Sequence, residues 1–493
     1  MKFRTLTAAA ILLTAAAAPL AAEPASESGA QALKQQFSEY FGPFLTDQGI
    51  VTIEPKGDDY AVAFDAEKAF GLLKLPGAAL KMDKFVTLLT PLPNGAWRSR
   101  GADYPAVSFR MPTPKGEISG AFEIKGYKAD GLYTPNQPDI FHTAATIETV
   151  EANMHIPDAT GSGANIELLE AGVSIDAKAS AAGPSAINFS ISQAIKRAAE
   201  IVTMTPVDAK GVALGVPVKI AYNFGAITSD AAIDALRARA VADIWTWLIA
   251  HVSAEKTGAA KAELKSLVAA ALPLWDKFGG SVTINDMSFE MPQGNVTIKS
   301  ATEILLLSGL TPTGGGRFAL KFDGVNVQSP LPPAWSAQLL PAALDFDLMF
   351  AVDGLDKIAG VALDAMDMEG KAPLGKEAEA KIAALFLSGS PKITLAPGHF
   401  TLPLIDLSFE GEAVVTPLAP SGHFTISADG LDKVQAFLQK NAAAMPAMGQ
   451  AIPGLIFAKG LAKIDAGGKL TWVIEITGDK SVTVNGQKFP PGK

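Results

Sequence analysis

Short runs in which apolar and polar residues alternate recur along most of the chain, and this alternation limits its possible folds most strongly. Near the C-terminus, apolar side chains occupy every second position, at Leu470, Trp472, Ile474 and Ile476. Successive side chains of a β-strand point to opposite faces of a sheet, so this run predicts a strand with one buried face. Turn sequences such as Pro93-Asn94-Gly95 separate the runs, which predicts antiparallel sheets.

The alternating runs fall into two stretches of the chain. The first stretch contains Val51 and Ile53, Val62 and Phe64, Val107 and Phe109, Ile118 to Ile124, Ile166 and Leu168, Val173 and Ile175, and Ile187 to Ile191. The second contains Val282 and Ile284, Val296 and Ile298, Phe318 to Val327, Leu344 to Phe350, Phe400 to Val415, Phe424 to Ala428, Leu470 to Ile476, and Val482 and Val484.

Three segments have the apolar spacing of a helix. Residues 23 to about 43 carry Ala30, Leu33 and Phe37 three or four positions apart, which predicts an amphipathic helix. A second helix is predicted from Ser229 to Lys256, capped by Ser229 or Asp230, and a third from about Ala259 to Lys277. The last two predict a helical hairpin between the two strand-rich stretches.

These patterns together predict an α+β fold with mainly antiparallel β-sheets. The sheets form two strand-rich halves with repeated strand-to-helix units, joined by the helical hairpin. The predicted boundaries are a signal peptide over residues 1–22, an N-terminal strand-rich half over 23–227, the hairpin over 228–280, and a C-terminal strand-rich half with an internal repeat over 281–493.

The first residues have the order of a secretory signal. Lys2 and Arg4 precede an apolar run from Ala8 to Ala18, and the small residues Ala21 and Ala22 follow it. The run is about eleven residues long, whereas a membrane-spanning helix needs roughly 20. We therefore expect cleavage near Ala22, with the exact bond left open, and secretion into the periplasm without a transmembrane segment in the mature protein.

Composition narrows the classes of partner. The chain has no cysteine, which excludes a lipid anchor on an N-terminal cysteine and any disulfide framework. Its formal charge of -9 becomes -11 without Lys2 and Arg4, which argues against nucleic acid and anionic lipid surfaces. We expect no cofactor, and we expect partners that are neutral, apolar or cationic.

A sequence of five residues occurs twice in the C-terminal half. Asp-Gly-Leu-Asp-Lys begins at Asp353 and again at Asp429, each time after an alternating run and before a helical one. The pattern predicts a strand-to-helix junction in which Asp353 and Asp429 cap the helix, while Asp356 and Asp432 support its N-terminus. Calcium binding is the alternative, but each copy supplies only two carboxylates and does not have the spacing of an EF-hand.

No catalytic, metal or nucleotide motif stands out. The five histidines belong to no zinc motif, and only His399 and His423, each at the start of a predicted strand, form a metal pair worth testing. Thr313-Gly314-Gly315-Gly316-Arg317 leads into a strand and is typical of a hairpin turn rather than a phosphate loop. We expect no catalytic residue and no metal site.

Two other sets of residues have both a structural and a functional interpretation. The acidic pairs Asp345/Asp347 and Glu410/Glu412 lie two positions apart on predicted strands, which suits a carboxylate-dependent hydrolase and, more commonly, a solvated strand face. Trp245, Trp247 and Ile249 form a possible apolar contact surface for lipid or a partner, with core packing as the commoner role of such residues.

The layout of the chain resembles that of a known family. The leader, the cysteine-free strand-rich body, the repeated junctions, and the ending from Gly468 to Trp472 and from Val482 to Gly486 are similar to an alphaproteobacterial envelope family, domain of unknown function 2125. The ending also resembles a gammaproteobacterial periplasmic family of unknown function. The resemblance implies an envelope location and a fold, and it implies no catalytic residue.

Three functions remain open at this level. The first is a non-enzymatic periplasmic protein that binds a lipid or other hydrophobic ligand in a groove between curved sheets, by analogy with strand-rich lipid carriers. The second is a periplasmic scaffold that binds an envelope protein and no ligand. The third is a carboxylate-dependent hydrolase. A groove requires strands with two apolar faces, whereas a packed scaffold requires one wet face, and the sequence contains both kinds of strand.

Overall fold

The fold is described from a computed structural model. It describes residues 24–41, 43–134, 139–157, 163–183, 186–206, 208, 214–250, 258–328, 334–365, 374–416, 419–443, 445–479 and 481–489. Strands account for 54% of the structure and helices for 24%, and the strands pair in antiparallel fashion. The predicted α+β class with mainly antiparallel sheet is therefore confirmed at this level.

The helices are short, and most of them lie between strands. They are α1 (Glu27–Phe41), α2 (Phe44–Asp47), α3 (Ala66–Gly71), α4 (Ala238–Ala250), α5 (Gly258–Ala271), α6 (Leu355–Ala365), α7 (Lys376–Ser388), α8 (Leu431–Asn441) and α9 (Pro446–Leu461). Within the described ranges no helix combines the length and the hydropathy that crossing a membrane requires.

The strands follow one another mostly through tight turns. The first fourteen are β1 (Val51–Lys56), β2 (Asp59–Phe64), β3 (Ala79–Met82), β4 (Phe85–Pro91), β5 (Trp97–Gly101), β6 (Val107–Thr113), β7 (Gly116–Lys125), β8 (Lys128–Tyr133), β9 (Asp139–Ile156), β10 (Ala164–Ala181), β11 (Ile187–Met204), β12 (Val218–Phe224), β13 (Ile227–Leu236) and β14 (Lys277–Met291).

The remaining strands continue to the end of the described chain. They are β15 (Gly294–Ser308), β16 (Thr313–Asp323), β17 (Asn326–Gln328), β18 (Ala343–Asp353), β19 (Lys392–Leu402), β20 (Ile405–Val414), β21 (Ser421–Asp429), β22 (Lys463–Ile464), β23 (Leu470–Ile476), β24 (Val482–Val484) and β25 (Gln487–Phe489).

The chain divides into two compact units. The first comprises Met1–Phe278 and Ser288–Pro292, and the second comprises Gly279–Met287 and Gln293–Lys493. Strand β14 contributes residues to both units.

In the first unit a curled sheet surrounds helix α1. The strands pair in the order β1-β2-β4-β5-β8-β9-β10-β11. One core cluster joins α1 to all eight strands. A helix is about 10–12 Å wide, whereas eight strands laid flat span about 34 Å. The sheet must therefore curl for one helix to contact all eight strands.

The predicted N-terminal helix provides the filling of this core. Ala30, Leu33 and Phe37 of α1 are each 4% exposed, as their spacing predicts. They belong to the same cluster as Trp97, which is 2% exposed, and Val51, which is 1% exposed. Burying such side chains contributes about 1.5–3 kcal/mol each, so α1 is an integral part of the first unit.

The second unit contains an antiparallel sheet with the strand order β15-β16-β18-β19-β20-β21-β23. Strand β17 pairs with one end of β15, and β24 and β25 extend the sheet beyond β23. Asn485-Gly486 forms the turn between β24 and β25, and both residues have positive φ angles, as a tight hairpin turn requires.

Three predictions of element bounds are wrong in part. Residues 227–236 form strand β13, which pairs with β11, so the helix predicted from Ser229 begins only at Ala238 and Ser229 and Asp230 cap nothing. The run from Phe400 to Val415 is a hairpin rather than one strand, since β19 ends at Leu402 and β20 begins at Ile405.

The third correction concerns length. The runs at Ile166 and Val173 belong to one strand of 18 residues, β10, which passes through Gly172 with a φ of +65°.

The predicted signal peptide over residues 1–22 lies outside the described residues.

Candidate functional site

The register of the second unit places apolar side chains from seven strands on one face. Directly opposed residues of antiparallel strands share a face. Phe318 opposes Leu348, and Phe322 opposes Leu344. The same rows continue across β19, β20, β21 and β23, for example through the pairs Phe400–Leu407, Phe409–Ile426 and Phe424–Ile474. The result is one apolar surface across the sheet.

Seven phenylalanines dominate this surface, which we call the phenylalanine face. They come from β16, β18, β19, β20 and β21, and they are Phe318, Phe322, Phe346, Phe350, Phe400, Phe409 and Phe424. The rings of Phe346 and Phe409 lie 6.3 Å apart between centroids. These two rings therefore contact each other across strand β19.

Glycines lie beneath several of these rings. A Cβ atom added to Gly411 would lie 2.3 Å from Cδ1 of Phe424, and one added to Gly316 would lie 2.5 Å from Cε1 of Phe350. Gly398 and Phe409 have the same relation, at 2.6 Å. The rings thus fold down over glycines of the neighbouring strand, which makes the phenylalanine face flatter than an ordinary row of upright side chains.

An irregularity in β19 keeps its apolar residues on this face. The register of β19 shifts between Leu395 and Gly398 relative to both neighbouring strands. Apolar residues occupy odd positions up to Leu395 and even positions from Gly398 to Leu402. A β-bulge adds one residue to a strand, so the bulge compensates for the change of parity.

The phenylalanine face is only partly covered. None of its seven phenylalanines belongs to the buried core of the described residues. Phe318 is 38% exposed and Phe350 is 42% exposed, and their neighbours Leu305 and Ile393 are 39% and 37% exposed. Contiguous exposed apolar surface of this kind marks binding sites more often than isolated exposed residues do.

Helices α8 and α9 cover the end of the face near β23, and Leu355 of α6 lies over Gly314 of β16, which opposes the buried Val352 of β18. Leu431 of α8 and Leu455 of α9 pack with Leu470 in a small core cluster. The indole Nε1 of Trp472 donates a hydrogen bond to the backbone oxygen of Ala458 in α9, at 2.7 Å. The exposed phenylalanines Phe318 and Phe350 lie on the same face, on β16 and β18, towards the edge of the sheet that is farthest from β23.

The reverse side of the same sheet is polar and carries ion pairs. Arg317 donates two parallel hydrogen bonds to Asp347, at 2.9 and 2.7 Å, and Lys321 contacts Asp345 at 2.8 Å. These hydrogen bonds raise the pKa of Arg317 and of Lys321. Since each acid has a basic partner, Asp345 and Asp347 form solvated ion pairs rather than the converging acids of a hydrolase site.

The second acidic pair lies on the same polar side. Lys392 contacts Glu412 at 2.7 Å, and this hydrogen bond lowers the pKa of Glu412. A general acid needs a raised pKa, so the shift is in the wrong direction for that role. Glu410, two residues earlier on β20, opposes Thr425.

The aspartates of the repeat lie at strand-to-helix junctions, and Asp429 does not cap the helix that follows it. β18 ends at Asp353 and β21 at Asp429, and α6 and α8 begin two residues later. Gly430, with a φ of +94°, is the N-cap residue of α8, and no side chain forms a cap hydrogen bond there. The cap predicted for Asp429 is therefore wrong, because glycine alone readily adopts this left-handed conformation.

The second aspartate of each copy lies in the first turn of its helix. Asp356 is in the first turn of α6, and Asp432 is in the first turn of α8. Asp432 also forms an ion pair with Lys459 of α9. Negative charge at a helix N-terminus is favourable, so both positions agree with a structural role.

The two histidines suggested as a metal pair do not meet. His399 lies on β19 and His423 on β21, and strand β20 separates them. His399 opposes Ser408, whereas His423 opposes Glu412 and Glu475. Among the described residues, no group of three or more potential ligands could hold a metal ion.

The residues of the predicted apolar contact surface on the hairpin differ in their exposure to solvent. Trp245 of α4 is 60% exposed, with Leu248 42% exposed beside it. Trp247 is 5% exposed, and its indole Nε1 donates a hydrogen bond to Glu263 of α5 at 3.2 Å, so it packs inside rather than on a surface. The side chain of Ile249 lies outside the described residues.

The first unit also contains an open cavity of about 800 Å³. Ten of its fifteen lining residues are polar or charged, including Lys81, Arg110, Asn153, His155 and Glu167. Pockets for hydrophobic ligands are lined mainly by apolar side chains. This cavity is therefore a poorer site for such a ligand than the phenylalanine face.

Sequence reasoning found most of these strands individually but missed the phenylalanine face. The available signal was phenylalanine at every fourth position, at Phe318 and Phe322 and again at Phe346 and Phe350, with glycines on neighbouring strands.

Comparison with protein-family models, with curated proteins and with solved structures finds no match to this chain. The family resemblance noted above therefore stays a prediction from the layout of the chain.

Proposed function

We propose that this protein is a non-enzymatic envelope protein that binds a lipid or another hydrophobic ligand on the phenylalanine face. One observation carries the proposal. Seven phenylalanines share one side of a seven-stranded sheet, none of them belongs to the buried core of the described chain, and two are 38% and 42% exposed. A folded protein gains little stability from such a surface, whereas a hydrophobic ligand gains affinity from it.

The dimensions of the face suit an acyl chain. Seven strands have six spacings of about 4.8 Å, so the face is about 29 Å across. One leaflet of a bilayer contributes about half of a hydrocarbon core that is about 30 Å thick. A single acyl chain therefore needs only half of the face, and the half around Phe318 and Phe350 is the exposed one.

The expected affinity follows from the number of methylene groups covered. Each buried methylene contributes about 0.8 kcal/mol, so ten contribute about 8 kcal/mol. This corresponds to a dissociation constant of about 1 μM before the entropic cost of binding. A lipid carrier that must release its cargo is compatible with an affinity in this range.

The location and the organisation of the chain are part of the proposal. We place the protein in the periplasm because of the signal read from Lys2 to Ala22. We also retain two related strand-rich halves joined by the α4–α5 hairpin, as predicted from the sequence. The division into two compact units supports two halves, although α4 and α5 both belong to the first unit, and α5 ends at Ala271, before Pro273.

A periplasmic protein-interaction scaffold is the second candidate. The exposed stripe on α4, formed by Val241, Trp245 and Leu248, favours it. These residues are spaced three or four apart and therefore share one side of the helix. A hydrolase is third and has no comparable support, since three of the four predicted acids form ion pairs on the wet side of the sheet.

Native mass spectrometry with lipid extraction tests the proposal. The mature protein should be purified from a bacterial periplasm without harsh detergent, and we expect a lipid bound in stoichiometric amount. Phe350→Asp places a charge on the phenylalanine face and should remove this lipid. Met349→Asp is the matched control, since Met349 is the preceding residue of β18, is 37% exposed, and opposes Arg317 on the polar side.

Two results would count against the proposal. A wild-type protein that carries no lipid would direct the search to protein partners and to Trp245. Equal loss of lipid in both variants would indicate that the substitutions act through stability rather than through the phenylalanine face.

A further inference from the structure

One carboxylate lies on the apolar side of the second unit's sheet. Glu303 of β15 opposes Leu320 of β16, whose other neighbour is Phe346 of β18. Ala301 and Leu305 lie two residues before and after Glu303 on the same side of the strand. Among the described residues that pair across this face, Glu303 is the one with a charged side chain.

Glu303 differs from the acids on the polar side of the sheet. Asp345, Asp347 and Glu412 each have a basic partner within 2.8 Å. Glu303 is exposed and has no hydrogen-bond or ion-pair partner within the described parts of the chain. Its negative charge is therefore available to a ligand that lies on the phenylalanine face.

The neighbouring basic residue does not compensate this charge. Lys299 lies four residues before Glu303, on the same side of β15. Its Nζ atom is 3.9 Å from a carboxylate oxygen of Asp323, and its side chain is 75% exposed. The positive charge at this end of β15 therefore already has an acidic neighbour.

We infer that the ligand of the phenylalanine face is an amphiphile with an ammonium headgroup. The inference rests on the proposed function. The alkyl chain lies against Phe318 and Phe350, and the ammonium group forms an ion pair with Glu303. A carboxylate headgroup would instead meet a like charge, and the repulsion is strongest at low ionic strength. The formal net charge of -9 also favours a cationic ligand.

Two amphiphiles that differ only in the headgroup test the inference. Dodecylammonium and dodecanoate, below their micellar concentrations, compete with the uncharged fluorescent probe N-phenyl-1-naphthylamine at low ionic strength. We expect the wild-type protein to bind dodecylammonium about fivefold more tightly, as for one exposed ion pair. Glu303→Gln should remove this preference, and Glu303→Lys should reverse it.

The matched control is Glu410→Gln. It removes the same charge from the same sheet, but Glu410 lies on the polar side, opposite Thr425. The control should therefore retain the preference for dodecylammonium. Circular dichroism of each variant verifies that the fold is intact, which is expected because both glutamates are exposed.

The possible failures are distinguishable. If the probe binds and Phe350→Asp abolishes its binding, but the two amphiphiles bind equally or Glu303→Gln leaves the preference unchanged, only the ammonium inference is overturned. If neither the probe nor either amphiphile binds to the wild-type protein, the proposed function fails as well.

Discussion

Two sheets of the same antiparallel kind differ in what covers their apolar side. In the first unit, α1 packs into the curled sheet, and its residues Leu33 and Phe37 are each 4% exposed. In the second unit, Phe318 and Phe350 remain 38% and 42% exposed. The first sheet thus has an occupant supplied by its own chain, whereas in the second Phe318 and Phe350 stay exposed although α6, α8 and α9 cover other parts of the apolar side.

This difference indicates that the two apolar surfaces have different roles. Burial of α1 adds to the free energy of unfolding, because its side chains leave water only in the folded state. The exposed rings of the phenylalanine face contribute less to the free energy of unfolding, and they stay accessible to a ligand. The polar reverse side, with its ion pairs, keeps the same sheet in contact with water. We therefore regard α1 as the structural counterpart of the proposed ligand.

The largest expected effect distinguishes the two surfaces directly. Phe37→Ala removes a buried ring from the first core and should lower the free energy of unfolding by about 3–5 kcal/mol. Phe350→Ala should change it by less than about 1 kcal/mol, because the ring is already exposed, but should weaken binding of a hydrophobic probe. Urea unfolding followed by tryptophan fluorescence measures both, since Trp97 lies in the core around α1 and Trp472 packs against the small core of the second unit.

Similar losses of unfolding free energy in these two variants would contradict the difference between the two sheets. Such a result would mean that Phe350 is covered in solution by part of the chain. Equal probe binding by wild type and Phe350→Ala would have the same implication.

A smaller effect is expected from the glycines beneath the rings. Gly411→Ala places a Cβ atom 2.3 Å from a ring carbon of Phe424 and 2.5 Å from the backbone oxygen of His423, so the ring and the backbone of β21 must both move, at a cost of about 1–3 kcal/mol. Gly360→Ala in α6 meets no atom within 4 Å and should stabilise the helix by about 0.5–1 kcal/mol. Thermal unfolding of the two variants should therefore shift in opposite directions.

If Gly411→Ala is as stable as the wild type, the ring of Phe424 does not rest on this glycine. The phenylalanine face would then be less flat than described. Probe binding by this variant sharpens the test, since a displaced ring should also change the affinity.

The smallest effect concerns the polar reverse side. The hydrogen bond from Lys392 lowers the pKa of Glu412 below its ordinary value of 4.5. Because the folded-state pKa is lower than the unfolded one, the contribution of this pair to stability is present above pH 4.5 and is lost as the pH falls through the lowered value. Carboxyl NMR titration of Glu412 should give a midpoint below 4.5, and Lys392→Met should raise it. A midpoint that Lys392→Met leaves unchanged would contradict the ion pair.

The sequence predicts local structure better than the site. The spacing of Ala30, Leu33 and Phe37 predicts α1, and the alternation from Leu470 to Ile476 predicts β23. Residues 229–236 fit both the helical and the alternating period, and pairing of β13 with β11 decides in favour of the strand. Local pattern alone could not make this choice, because the decision depends on a distant partner.

The candidate site depends on register, which a single strand does not contain. Phe346 and Phe409 contact each other only because the bulge in β19 aligns strands that are far apart in sequence. Glu303 was missed for a similar reason, since its position among apolar residues follows from its pairing with Leu320. For Trp247 the sequence offers both a contact surface and core packing, and packing against α5 buries it.

Photocrosslinking inside the cell tests the central claim most directly. The photoreactive residue p-benzoylphenylalanine replaces Phe318 in one protein and Met349 in another, and each protein is irradiated in the periplasm and analysed by mass spectrometry. The account predicts a lipid adduct at position 318, on the phenylalanine face, and none at position 349, on the polar side of the same sheet. Adducts at both positions in equal amount, or at neither, would contradict it.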